Sequence, residues 1–122
     1  MSIEKVKVLS VTFEDGEEIL SNLKKALAES SVEKCRITTV EGKISDFDIN
    51  VFVAGEFNER HVGEEYRLAS VHGVFEEKGN LGYNGSLTVS LAGEGHKVVG
   101  GDLLKGKAAG EVTIKAEVIK FK

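Results

Sequence analysis

One change of hydrophobic period governs what this chain can become. Between Asp15 and Ser31 the apolar residues Ile19, Leu20, Leu23, Ala26 and Leu27 recur at helical spacing, which places them on one face of a 3.6-residue turn. Beyond Ser31 the period falls to two and stays there to the C-terminal end, the pattern of strands buried on one face and solvated on the other. One helix followed by a long run of strands predicts an α+β fold. The expected architecture is a mostly antiparallel sheet of about seven strands with the main amphipathic helix packed on one face, so the other face needs polar side chains or a partner to cover it.

Local signals refine this outline. Asp15-Gly16-Glu17-Glu18 reads as a helix start, with Asp15 as the cap and Glu18 three residues later completing a capping box. Lys24 and Lys25 lie in the helix's later half, where the helix dipole favours cations. A strand is predicted over 6–13, with a change of parity at Leu9-Ser10 that implies a bulge. Further strands are predicted over 34–40, 44–53, 66–75, 86–91, 96–99 and 110–121, with Phe47, Ile49, Val51 and Val53 facing inward. Turns are expected at Glu41-Gly42, Asn80-Leu81-Gly82, Asn84-Gly85 and Gly93-Glu94-Gly95, the last closing a hairpin. Residues 54–65 read as a polar, mobile loop. With no proline, repeat or low-complexity tract in 122 residues, residues 1–122 form a single domain in this reading.

Charge and cysteine content exclude several functions. A net charge of −4 argues against a protein that coats nucleic acid, which needs a basic surface to displace counterions. The charge is uneven: residues 41–65 carry a net of −5 and residues 95–122 a net of +3, so the two segments suit complementary contacts between subunits. The opening Met1-Ser2-Ile3-Glu4-Lys5 is followed by no apolar run, so the expected location is the cytoplasm, with no membrane partner. The one cysteine, Cys35, forms neither an intramolecular disulfide nor a cysteine-rich zinc site and is expected to be a buried, inert thiol.

No catalytic motif stands out. His61, His72 and His96 lack the close spacing of metal-binding motifs, and read as a solvated loop residue, a sheet residue and a hairpin flank. Gly93-Glu94-Gly95 and Gly100-Gly101 do not match a phosphate loop, so turn geometry is their expected role.

Three stretches carry a family resemblance: Gly16-Glu17-Glu18-Ile19-Leu20-Ser21-Asn22-Leu23-Lys24-Lys25, then Ser86-Leu87-Thr88-Val89-Ser90-Leu91, then Val98-Val99-Gly100-Gly101-Asp102-Leu103-Leu104. They resemble the "GEEIL..L" helix, the "HLHVSL" strand and the "GGHL" turn of the plants-and-prokaryotes-conserved (PPC) domain family, here as a free-standing prokaryotic-type member. The resemblance implies a homotrimer. In plants such domains accompany AT-hook segments that bind DNA, while the domain itself mediates assembly and protein contacts; free-standing members have no settled activity. This chain contains no Arg-Gly-Arg-Pro hook.

Some relatives in this family hold a metal through the two histidines of "HLHV" and the one of "GGHL". The corresponding positions here are Ser86, Thr88 and Asp102. Two hydroxyls and a carboxylate do not supply the imidazoles that favour zinc, so no metal or other cofactor is expected. A polar cleft lined by Ser86, Thr88 and Asp102 remains as a site for a small polar ligand. The leading reading is a non-enzymatic assembly or binding module. Its rivals are an enzyme using the Ser86, Thr88 and Asp102 cleft, and a DNA-associated regulatory protein using the lysines of residues 97–122.

Overall fold

The computed structural model describes residues 7–122, so the first residue of the expected N-terminal strand, Val6, lies outside the described part. The chain runs β1 (Lys7–Phe13), α1 (Ile19–Glu29), β2 (Val32–Val53), β3 (Glu56–Val62), β4 (Tyr66–Glu77), β5 (Tyr83–Gly85), β6 (Leu87–Ala92) and β7 (Val98–Phe121). All pairings are antiparallel, in the order β1-β7-β6-β4-β2-β3, with β5 on β4. An additional β7–β2 pairing links β2, β4, β6 and β7 in a closed circuit. The α+β class, the seven strands and the one main helix are as the periodicity predicts.

Two strands dominate. β7 has 24 residues and β2 has 22; straight, β7 would span about 80 Å, far more than the roughly 35 Å width of a domain this size. They must bend, and the β2–β7 ladder does so through six register shifts. Gly42 marks one of them. Its φ is +133°, and a Cβ there would lie 2.8 Å from the Glu111 carbonyl oxygen, so a bulge in a continuous strand replaces the turn expected at Glu41-Gly42. For the same reason the predicted strands 96–99 and 110–121 merge into β7. Gly100 and Gly101 lie inside that strand, not at a turn: a Cβ on Gly101 would sit 2.4 Å from the Asn50 carbonyl oxygen, so the glycine permits close approach of β2.

The core lies on the sheet's inner face. Phe13, Phe47, Phe75, Ile44, Ile49, Leu87, Leu91 and Ile114 are fully buried there, with Ile19, Leu23 and Leu27 of α1. Spacing of four along the helix puts those three on one line. The cap differs from expectation: Glu18 is the N-cap, its Oε2 accepting from Leu20 N (2.7 Å) and its Oε1 from Ser21 N (3.1 Å). Asp15 instead accepts from Gly110 N at 2.7 Å, tying the helix entry to β7.

Two other expectations fail. β1 pairs with β7 without interruption from Lys7 to Phe13, so there is no bulge at Leu9-Ser10; Leu9, Val11 and Phe13 face the core and Val8 faces out. Most of residues 54–65 form β3, paired with the end of β2 from Phe47↔Val62 to Val53↔Glu56. The base of this hairpin, Phe47, Ile49 and Val62, packs in or on the core, but the rest of β3 is exposed and shows no inward alternation; Val53 is exposed and Val51 only partly buried. Among the described residues, no helix is long and apolar enough to cross a membrane.

Candidate functional site

Strand register assembles a polar row on the outer face. Asp102 of β7 is the direct partner of Thr88 on β6, and Thr88 is the partner of His72 on β4. On its other side Asp102 pairs with Asn50 of β2. Directly opposed side chains in such a ladder have Cβ atoms about 4.5–5.5 Å apart. Asn50, Asp102, Thr88 and His72 therefore stand side by side across four strands. Thr88 Oγ1 donates to Asp102 Oδ1 at 2.8 Å.

Of the three residues singled out in the sequence, the structure thus brings Thr88 and Asp102 together. Ser86, exposed and two residues before Thr88, sits in the break between β5 and β6, its carbonyl oxygen against Gly73, where a Cβ would lie 2.4 Å away. The row offers hydroxyl, amide, imidazole and a single carboxylate whose Oδ1 already accepts from Thr88. That donor set does not fit zinc, and among the described residues no three His, Cys, Asp or Glu side chains converge as metal ligands.

Sequence reasoning missed a second, denser cluster. Asp46 adopts a left-handed φ of +48° within a register shift of β2. His61 lies between two carboxylates, with Nε2 3.1 Å from Asp46 Oδ1 and Nδ1 2.6 Å from Asp48 Oδ1. Lys105 reaches Asp48 Oδ2 (3.3 Å) and Lys107 reaches Asp46 Oδ2 (3.2 Å). The hydrogen bond from His61, with that from Lys105 and the charges of both, holds the Asp48 carboxyl below its ordinary range. His61 is therefore a strand residue hydrogen-bonded to Asp48, and His96 sits in a 3-10 turn at φ +64°. The signal available was the opposed charge of residues 41–65 and 95–122.

Those segments meet within one chain. Lys97, Lys105 and Lys107 are paired with Glu64, Asp48 and Asp46 of the acidic segment, and Lys120 and Lys122 with Glu33 and Glu77 outside it; of the six lysines, Lys115 alone has no ion-pair partner among the described residues. Cys35 is buried, and burial raises its thiol pKa.

A family model, the Plants and Prokaryotes Conserved (PCC) domain, matches residues 2–120. The chain belongs to this family. Solved PPC-fold structures agree. A plant- and prokaryote-conserved (PPC) protein of Pyrococcus horikoshii is 22% identical, with a TM-score of 0.78 over 100% of this chain and 87% of that one. A candidate DNA-binding protein of Bacteroides thetaiotaomicron is 16% identical, with a TM-score of 0.81 over 99% and 85%. A metal-containing protein of Archaeoglobus fulgidus is 16% identical, with a TM-score of 0.77 over 97% and 86%. At these identities the likeness concerns the fold. No curated protein matches this PPC chain.

Proposed function

We propose that this PPC-family chain is a non-enzymatic assembly module that forms a homotrimer through its uncovered apolar surfaces. The observation that carries the reading is that two separate apolar patches face solvent. At the β2–β3 tip, Phe52 and Phe57 are 61% and 65% exposed and pack on each other at 5.0 Å between ring centroids, beside exposed Val53. On the outer face, Val8, Ile119, Phe121 and Val74 are exposed around the Arg36–Glu117 ion pair. Lone exposed apolar residues are ordinary, but clusters mark contact surfaces.

The occupant of each patch is a second copy. A three-fold ring joins two different surfaces of every subunit, and this chain carries two. Their flanks are complementary: Glu56 and Glu59 stand beside the aromatic tip, and Lys7, whose Nζ lies 5.2 Å from the Phe121 ring centroid, borders the other patch. The row of Asn50, Asp102, Thr88 and His72 belongs to the same outer face and would supply polar contacts to a partner or a small polar ligand.

The test is the mass of Phe52→Ser/Phe57→Ser by light scattering. Both side chains are exposed, so the subunit should stay folded; a fall from trimer to monomer supports the reading, and an unchanged mass contradicts the role given to the hairpin.

DNA association is the second reading, favoured by the description of the Bacteroides thetaiotaomicron relative. Against it stands the pairing of five C-terminal lysines with acids of the same chain. It predicts salt-sensitive retention on DNA.

A further inference from the structure

An open cleft of about 600 Å³ lies away from the polar row, lined by Lys43, Arg67, Glu64, Glu65, Glu94 and the Ala92-Gly93 backbone. Its volume falls within the range of roughly 300–1,000 Å³ typical of small-molecule sites. Two features of the strands build it. The β2–β4 ladder keeps one register on both sides of Gly42, from Ile37↔Gly73 to Lys43↔Arg67, so Lys43 stands directly opposite Arg67 of β4. Gly93 packs so closely on the Tyr66 ring that a Cβ would come within 2.8 Å of a ring carbon, which sets the backbone wall of the cleft.

The charges are arranged unfavourably for an empty site. Like charges directly opposite each other on neighbouring strands repel, yet neither Lys43 nor Arg67 has an ion-pair partner among the described residues. The partners of Lys43 and Arg67 across the next strands are Ala109 and Ala92, which bring no countercharge. Around this cationic pair stand three carboxylates, of which Glu64 is taken by Lys97 at 3.9 Å. Glu65 and Glu94 have no cation within ion-pair distance among the described residues. The cleft thus holds two cations side by side and two uncommitted carboxylates.

We propose that this cleft binds a short peptide as its zwitterion, with the carboxylate on Lys43 and Arg67 and the ammonium on Glu65 and Glu94. An arginine beside a lysine offers both a planar two-pronged donor and a point charge to one carboxylate. The volume exceeds what a single small amino acid fills, which favours a peptide. In an open, solvated cleft the affinity is in the millimolar range. The inference does not depend on the trimer, because every residue it uses belongs to one chain.

The test is a heteronuclear NMR titration of the full chain with triglycine, with N-acetyl-triglycine and triglycine amide as probes lacking one charge each. The expected result is saturable shifts of the Arg67, Ala92 and Gly93 amides with triglycine, and weaker binding of both blocked peptides by roughly tenfold. Lys43→Gln and Arg67→Gln should each weaken triglycine binding to a similar extent, while Lys115→Gln leaves it unchanged. Absence of saturable shifts at tens of millimolar overturns the proposal. So does equal binding of the acetylated peptide, which would reveal a simple anion site.

Discussion

Gly100→Ala and Gly101→Ala separate two roles that neighbouring glycines can have within one strand. Both are surrounded by strands, and both substitutions remove the same backbone freedom from the unfolded chain, which by itself stabilises by about 0.4–1 kcal/mol. The native environments differ. At Gly100 the nearest atom to a new Cβ is the Val89 carbonyl oxygen at 3.6 Å, an ordinary contact. At Gly101 the Cβ would meet Asn50 O at 2.4 Å, Asn50 C at 3.1 Å and Ile49 Cγ1 at 3.2 Å. Because the first is backbone, β2 and β7 must part by roughly 1 Å to restore van der Waals separation. Overpacking of this kind costs about 1–3 kcal/mol. Gly100→Ala should therefore be neutral or slightly stabilising, and Gly101→Ala less stable than it by the overpacking cost, about 1–3 kcal/mol, because the shared unfolded-state gain cancels. At about 4 °C per kcal/mol for a chain of this length, the melting temperatures should differ by roughly 4–12 °C. The assay is thermal unfolding followed by circular dichroism, at one protein concentration for all variants so that any assembly contributes equally. Equal melting temperatures for the two variants would refute the argument that strand approach requires Gly101.

Other predictions concern the helix, the charge cluster and the thiol. Leu27→Ala removes a fully buried contact of α1 with the sheet and should cost about 2–5 kcal/mol in denaturant unfolding; a loss below 1 kcal/mol would mean the helix is not docked as described. Asp48 has a folded pKa below its unfolded value, so its pairing stabilises the fold above the pH where an unfolded aspartate titrates, near 4, and that contribution is lost as pH falls through the lower folded value. Asp48→Asn should thus lower the melting temperature at neutral pH and flatten its fall on acidification; a pH profile parallel to that of the unmodified chain would count against the cluster. Cys35 should resist an aromatic disulfide reagent in the native protein and react fully in denaturant, and rapid native reaction would contradict its burial.

What the sequence discloses here follows from what burial imposes on it. Strands with one face in the core alternate visibly: Leu87, Val89 and Leu91 in β6, and Val112, Ile114, Ala116 and Val118 in β7, are all buried. The helix is equally plain in Ile19, Leu23 and Leu27. β3 escapes because it is held by pairing alone, and exposed residues need no pattern. Gly42 escapes because a glycine at a bulge and one at a turn look the same in sequence; only the Glu111 carbonyl behind it tells them apart. The candidate site is legible in part. Thr88 and Asp102 are found through family motifs, but their neighbours His72 and Asn50 depend on registers between distant strands, which no local spacing encodes. The Asp46, Asp48, His61, Lys105 and Lys107 cluster is hidden for the same reason, with only the opposed segment charges as a hint.

The central claim is assembly, and sedimentation equilibrium of the unmodified chain tests it most directly. The account predicts a single species of three times the 13.2 kDa chain mass, persisting on dilution through the micromolar range. A monomer throughout that range would contradict it, and would leave the exposed Phe52, Phe57, Ile119 and Phe121 without the partner assigned to them.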